Sequence, residues 1–277
     1  MHLIDLFNTR ELATIVWAAV ALCGALLIPG VRKTAPRLLR SALAGKLVVA
    51  VVLLGVYTFA VAYGLYRIGL WTPDLLKDTV FWFLGGAVVM LFGVLEAGPD
   101  QHYFRKLLRN SVGLVIVLQF LTNTYTFALW VELIAIPVLT FVVTLQAVAE
   151  RSPESAVVGR ILSWVTMAYG FTAVGISLLM VAKEPSEFFT LPNARSFALP
   201  ILLTVSLLPF IHLFGLYAEY ETNFTRLQWL VPDVRLRRHA KLRILRKFHL
   251  NLWALKRWAR TGGLGSVQSR EELDQRL

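Results

Sequence analysis

Residues 47–66 read LVVAVVLLGVYTFAVAYGLY, twenty consecutive positions without a charge. As an α-helix this stretch covers about 30 Å, the thickness of a bilayer's hydrocarbon core. Just before it, Arg32, Lys33, Arg37, Arg40 and Lys46 fall in one short segment that contains no acid. Lys and Arg are retained on the cytoplasmic side of membrane proteins, so this segment is assigned to the cytoplasm and the N-terminus to the outside.

Working backwards, residues 12–28 form a first apolar run that stops at Pro29 and Gly30. Ahead of it stand Asp5, Arg10 and Glu11 rather than a basic cluster, so the run is expected to remain as a span and not to be cleaved as a signal peptide. It holds the only cysteine, Cys23, which reads as a small packing residue, because a lone thiol offers neither a disulfide nor a metal cluster.

Working forwards, Tyr63, Tyr66 and Trp71 mark the far membrane–water interface, and Arg67 and Lys77 balance Asp74 and Asp78 in a neutral outer loop. A third span covers residues 79–95, where Gly85, Gly86 and Gly93 would let another helix approach closely; Ala60 with Gly64 and Gly93 with Ala97 read likewise as packing. Arg105, Lys106 and Arg109 against Asp100 return the chain to the inside. Residues 111–149 suit two short spans around the polar insert Thr122–Thr126, the reading preferred here, or one re-entrant hairpin. Residues 161–182 form a sixth span. Residues 197–217 form a seventh, which Pro209 is expected to interrupt and kink. The predicted fold is all-α: a polytopic bundle of about seven transmembrane helices at residues 1–218, then a basic cytoplasmic tail at residues 219–277.

The composition agrees. Hydrophobic residues make up 57% of the chain and mean hydropathy is +0.63, both above soluble norms. The formal charge is +11. Much of it lies between residues 233 and 260, where Arg235, Arg237, Arg238, Lys241, Arg243, Arg246, Lys247, Lys256, Arg257 and Arg260 face only Asp233. At helical spacing Leu236, Ala240, Ile244, Phe248, Leu252 and Leu255 share one face, while Arg238, Arg243, Arg246 and Arg257 lie opposite. Arg237, Lys241 and Lys247 break the pattern. This basic amphipathic helix suits the anionic lipids of the inner leaflet or an acidic soluble partner. Nucleic acid is disfavoured, since no recognition fold accompanies the charge. Thr261, Gly262 and Gly263 end the helix, and Ser269 with Glu272 has the spacing of a capping box.

Four intramembrane polar residues are candidates for function. Glu132 follows Trp130, so it is expected at the outer interface facing water; buried instead, it would be a cation site or a proton acceptor. His212 lies three residues after Pro209, near the carbonyl of Val205 that the proline leaves without a donor, and either joins a polar pathway or hydrogen-bonds a neighbouring helix. Gln119 and Gln146 read as contacts between helices. His2, His102, His239 and His249 have no partner at metal-ligand spacing, and no nucleophile elbow or phosphate loop is present, so no cofactor is expected. The sequon at Asn223 and Thr225 falls on the cytoplasmic side and is discounted.

The leading functional expectation is therefore a non-enzymatic membrane protein, an ion-conducting assembly of several copies or a membrane anchor, controlled through its basic tail. A small secondary transporter using Glu132 and His212 is the alternative. A lipid-modifying enzyme around Glu96, Asp100 and His102 is third. Abundant Arg, Ala, Leu and Val are compatible with a bacterial plasma membrane.

Overall fold

The computed structural model describes residues 7–42, 45–98, 102–112, 120–121, 124–151, 153–231 and 233–261. Every element among them is helical. Among the described residues six helices are long and apolar enough to cross a membrane, which makes the chain a multi-pass helical membrane protein. The fourth expected span, the first of the two read in residues 111–149, falls largely on residues 113–119, outside the described residues, as does the capping box at Ser269 and Glu272. The chain forms two compact units, residues 1–48 with 113–194, and residues 49–112 with 195–277.

The first unit starts with α1 (Thr9–Leu27), whose first turn is closed by a reciprocal cap. The Asn8 side chain accepts from the Glu11 N–H at 2.8 Å, and the Glu11 carboxylate accepts from the Asn8 N–H at 2.9 Å. Pro29 does end α1, but it also opens α2 (Pro29–Ala42), because proline's missing N–H costs nothing at the first helical position. The basic segment is therefore a helix rather than an open loop. α7 (Leu129–Ala149) and α8 (Ala156–Lys183) form an antiparallel pair, and the short α9 (Pro185–Phe188) comes next. Gly159 packs at the return, where a Cβ would sit in ordinary contact with the Cβ of Ala149 at 3.5 Å.

The second unit is built on α3 (Lys46–Arg67) and a compound span. That span runs from a 3-10 turn (Pro73–Leu75) through α4 (Leu76–Trp82) and a π-helical turn (Phe83–Ala87) into α5 (Val88–Glu96). Beyond it lie α6 (Tyr103–Val112), the long α10 (Leu191–Leu230), α11 (Val234–Phe248) and α12 (Leu252–Arg260). Pro209 does not interrupt α10, which stays helical through both Pro200 and Pro209. Near the prolines, Tyr57 of α3 donates its hydroxyl to the Ser206 carbonyl at 2.8 Å, and Thr204 of α10 bonds the Pro200 carbonyl one turn back at 2.6 Å.

At 40 residues α10 is about 60 Å long, twice a hydrocarbon core. Its last turns, with Glu219, Glu221 and Arg226, must project beyond the apolar layer. Residue 218, the expected boundary between bundle and tail, lies inside this continuous helix. One core joins the spans to the two C-terminal helices, with Leu54, Leu91, Val94, Leu207 and Ile211 in the same cluster as Leu236, Ile244, Leu252 and Leu255.

Candidate functional site

The C-terminal segment of the second unit is a folded cap rather than a free amphipathic tail. Asp233 starts α11 by accepting from the Arg235 N–H at 2.9 Å. Leu236, Ala240, Ile244 and Phe248, four residues apart, are all buried, as the apolar stripe predicts. The single long helix expected over this stretch breaks at residues 249–251. His249 has φ 43°, the only positive φ outside glycine among the described residues. That conformation is costly for a side chain with a Cβ, so the turn needs outside support. Two residues of α10 supply it. Tyr220 donates its hydroxyl to the His249 carbonyl at 2.8 Å, and His212 Nε2 stands 2.9 Å from the Leu250 carbonyl. A carbonyl only accepts, so Nε2 of His212 carries the proton. Asn251 then caps α12 by accepting from the Ala254 N–H at 3.0 Å.

α12 turns Leu252, Trp253, Leu255 and Lys256 inward. The Lys256 ammonium donates to the Val94 carbonyl at 2.7 Å and to the Ala97 carbonyl at 2.8 Å. These belong to the end of α5, where helix carbonyls lack intrahelical partners and the helix dipole is negative. The amine also lies 5.6 Å from the centre of the Trp253 ring. Burial pushes its pKa below the ordinary lysine value, with Glu219 pulling the other way and Arg260 adding to the drop. The sequence places Lys256 among the lipid- or partner-binding charges; its burial removes it from that set. The signal is in the periodicity, because position 256 falls four residues after Leu252 on the apolar face.

Aromatic rings of α6 complete the packing. Tyr103 and Phe104 both contact Trp253, and Phe104 also meets the His212 ring at 5.7 Å. The close approaches require glycine at two points. A Cβ on Gly215 would lie 2.9 Å from Val94 Cγ2 and 3.1 Å from Leu252 Cδ2, and one on Gly93 would lie 3.0 Å from the Tyr103 hydroxyl. Gly93 thus admits α6, while Gly85 has open space and Gly86 faces only the indole of Trp82.

Of the remaining tail cations, Arg235, Arg238, Arg243, Arg246, Lys247, Arg257 and Arg260 are exposed, and Arg237 and Lys241 are half-buried. Lys241 and Lys247 lie against the rings of Phe224 and Phe248, at 5.1 and 5.7 Å. The outward face of α11 carries Arg235, Arg238 and Arg246 interleaved with exposed Val234, Leu242 and Leu245. Trp229, just ahead of α11, is 84% exposed. Asn223 of the sequon is fully buried, which closes it to glycosylation in the folded chain.

The first unit holds the other polar centre. Glu132 does not face water; it is 1% exposed and paired. Its carboxylate accepts from Arg10 Nε at 3.1 and 3.2 Å, from Arg10 Nη2 at 2.9 Å and from the Phe127 N–H at 3.2 Å. Around the pair, the Thr9 hydroxyl contacts that of Thr126 at 2.7 Å and the Phe127 carbonyl at 2.6 Å, and the Trp17 indole donates to the Leu133 carbonyl at 2.8 Å. The start of α1 is thereby fastened to the start of α7.

Gln146 bonds Glu150 one turn along its own chain at 2.9 Å instead of a second helix. Gln119 lies outside the described residues. Glu132 and His212 belong to different units, and both are engaged: one by a guanidinium, the other by a backbone carbonyl. Asp100 is likewise outside the described residues, and no group of three metal-ligating side chains occurs among those that are described.

Fold and site together define a multi-pass helical membrane protein carrying a basic cap packed onto its own core. Comparison with protein families, characterised proteins and solved structures finds no match.

Proposed function

We propose that the chain is a non-enzymatic membrane anchor of a bacterial plasma membrane, with its N-terminus outside and its cap in the cytoplasm, where the cap binds the anionic inner leaflet. One observation carries this reading: the outward face of α11 alternates Arg235, Arg238 and Arg246 with exposed Val234, Leu242 and Leu245. That mixture is the chemistry of a helix lying in a headgroup layer, where apolar side chains enter the acyl boundary and guanidinium groups meet phosphates. Each cation near an anionic surface contributes about 1 kcal/mol, and the attraction weakens with salt. Trp229, exposed just ahead of α11, would serve as an interfacial aromatic anchor for the approach. The orientation rests on the acid-free basic segment before α3 and on the net charge of the cap.

The test varies charge and not length, because removing the chain from Asp233 onward would strip Leu236, Ile244, Leu252 and Leu255 from the core. In a Cys23→Ser background, Leu242→Cys carries an environment-sensitive fluorophore, and the protein is placed in nanodiscs of zwitterionic or partly anionic phospholipid. A blue shift confined to the anionic discs, lost with salt or in Arg235→Glu/Arg238→Glu/Arg246→Glu, supports the reading. A probe that stays in water under all conditions sinks it and turns the basic face towards an acidic soluble partner.

A further inference from the structure

A cavity of about 460 Å³ opens in the second unit between α3 and the compound span, remote in sequence from the cap. We infer that it is a phospholipid site, with one acyl chain in the groove and the phosphate on Arg67.

Length, lining and charge each support this occupant. The groove runs along α3 from Tyr66 down to Gly55, eleven residues or about 16 Å of helix. Half of a hydrocarbon core is about 15 Å, so the groove has the depth of a single leaflet. Gly55 lies at its floor, where a Cβ would sit in ordinary contact with the Phe83 ring at 3.8 Å and a longer side chain would enter the groove. Phe83 and Leu84 belong to the π-helical turn, a departure from α-geometry found mostly at functional positions.

Below the tyrosines and Trp71 of the mouth, the walls are apolar. Even Thr58 and Thr79 turn their hydroxyls to carbonyls of their own segment, those of Leu54 and Leu75, at 2.9 and 2.8 Å. Below the mouth a polar ligand would find those hydroxyls already engaged, whereas a hydrocarbon chain needs no partner. Phe59, Val80 and Leu84 are exposed, so the groove opens sideways to where lipid tails lie.

The mouth has the opposite character. Tyr66 and Trp71 meet edge to face at 6.3 Å, and the Trp71 indole is held by donating to Thr79 at 2.9 Å. Such rings mark headgroup depth. Arg67 reaches the hydroxyl of Tyr63, itself a wall of the groove, at 3.4 Å and remains exposed. Its fork of donors suits a phosphate directly above the chain. Asp74, Lys77 and Asp78 share this end and leave it with no net charge, which favours phosphate recognition by Arg67 over a general attraction for anions.

The experiment uses the full chain in nanodiscs of zwitterionic lipid doped with a phosphatidylcholine bearing a diazirine near the end of one acyl chain. After illumination, label should concentrate on residues 55–84 over the equally exposed Val138 and Phe141 of α7. Gly55→Leu with Val80→Trp should lower that labelling about tenfold. Val80→Trp alone, at an exposed position, provides a second filled variant if the pair does not fold. Arg67→Gln should reduce phospholipid retained in native mass spectra while leaving labelling by a diazirine fatty alcohol, which has no phosphate, unchanged. Even labelling over all exposed spans, or filled variants that label like the parent, would overturn the site. Equal retention by Arg67→Gln would overturn the phosphate contact. Anionic lipid is absent throughout, so failure here is separable from failure of the cap's membrane binding.

Discussion

Among the described residues each unit buries one charge, and the two are held by opposite means. Glu132 is answered by a full counter-charge, since Arg10 meets both of its oxygens. Lys256 is answered by dipoles: two carbonyls at a helix end and the face of an indole. A buried ion pair can be removed whole at little cost, but breaking it leaves a bare charge away from water. A lysine on carbonyls leaves no charge behind when it is removed; it leaves only unsatisfied acceptors. The first arrangement is an all-or-nothing clamp between α1 and α7, the second a graded latch between the cap and α5.

That contrast predicts its own largest effect. Arg10→Leu strands the Glu132 carboxylate and should destabilise the first unit by about 3–5 kcal/mol. Arg10→Leu combined with Glu132→Leu should recover most of the loss, since no charge then remains buried. Unfolding in detergent, measured for the parent, both single variants and the double, closes the cycle. A double variant no better than Arg10→Leu alone would show that the pair does not act as a clamp.

Lys256→Met should cost less, about 2 kcal/mol, because the lost bonds to Val94 and Ala97 are partly offset by no longer burying an ammonium. The latch should also respond to pH. With the native pKa of Lys256 depressed below its unfolded value, the unfolded chain holds the extra proton in the interval between the two. Stability of the cap should therefore rise with pH across that alkaline interval, ending near the ordinary lysine pKa of about 10.4. Tryptophan fluorescence during denaturation, at several alkaline pH values, would reveal a slope in the parent that Lys256→Met lacks. A falling slope, or one shared by both proteins, would break the comparison.

The same two residues show how far the sequence is legible. Glu132 stands out because a carboxylate within an apolar run is rare. Its partner Arg10 lies 122 residues away and reads only as a flank of the first span, since sequence gives no distance between separate helices. For Lys256 the opposite holds: the stripe Leu236–Leu255 marks the buried face correctly, yet a lysine on that stripe is assigned to the surface by residue type. The membrane class and the six described spans are readable because hydropathy is a local quantity. The break at His249 has one local signal, Asn251 as a helix N-cap, which does not by itself outweigh the continuing apolar stripe; the turn is fixed by Tyr220 and His212 from α10. Pro209 marks a lost backbone donor but not a helix end, since α10 continues through it.

Gly215 sharpens the account of the latch without touching any charge. A methyl there meets Val94 Cγ2 at 2.9 Å and Leu252 Cδ2 at 3.1 Å, both branched side chains in the core with little room to yield. Gly215→Ala should cost about 1–2 kcal/mol through overpacking. The pH slope attributed to Lys256 should survive in this variant, because the amine and its carbonyls remain. Disappearance of the slope in Gly215→Ala would mean that the titrating contact depends on the whole cap and not on Lys256 alone.

The smallest effect is expected at the turn, with the opposite sign. His249 contributes its carbonyl to Tyr220, while its exposed imidazole accompanies a φ of 43° that favours glycine. His249→Gly relieves that conformation but frees the unfolded chain, and the two changes together should stabilise the cap by a few tenths up to about 1 kcal/mol. His249→Ala is the control, since it removes the imidazole and keeps the Cβ, and it should give no such gain. If alanine stabilises as much as glycine, the imidazole and not the backbone was the unfavourable element. If both destabilise, the imidazole itself supports the turn, and the latch includes a side chain beyond Lys256.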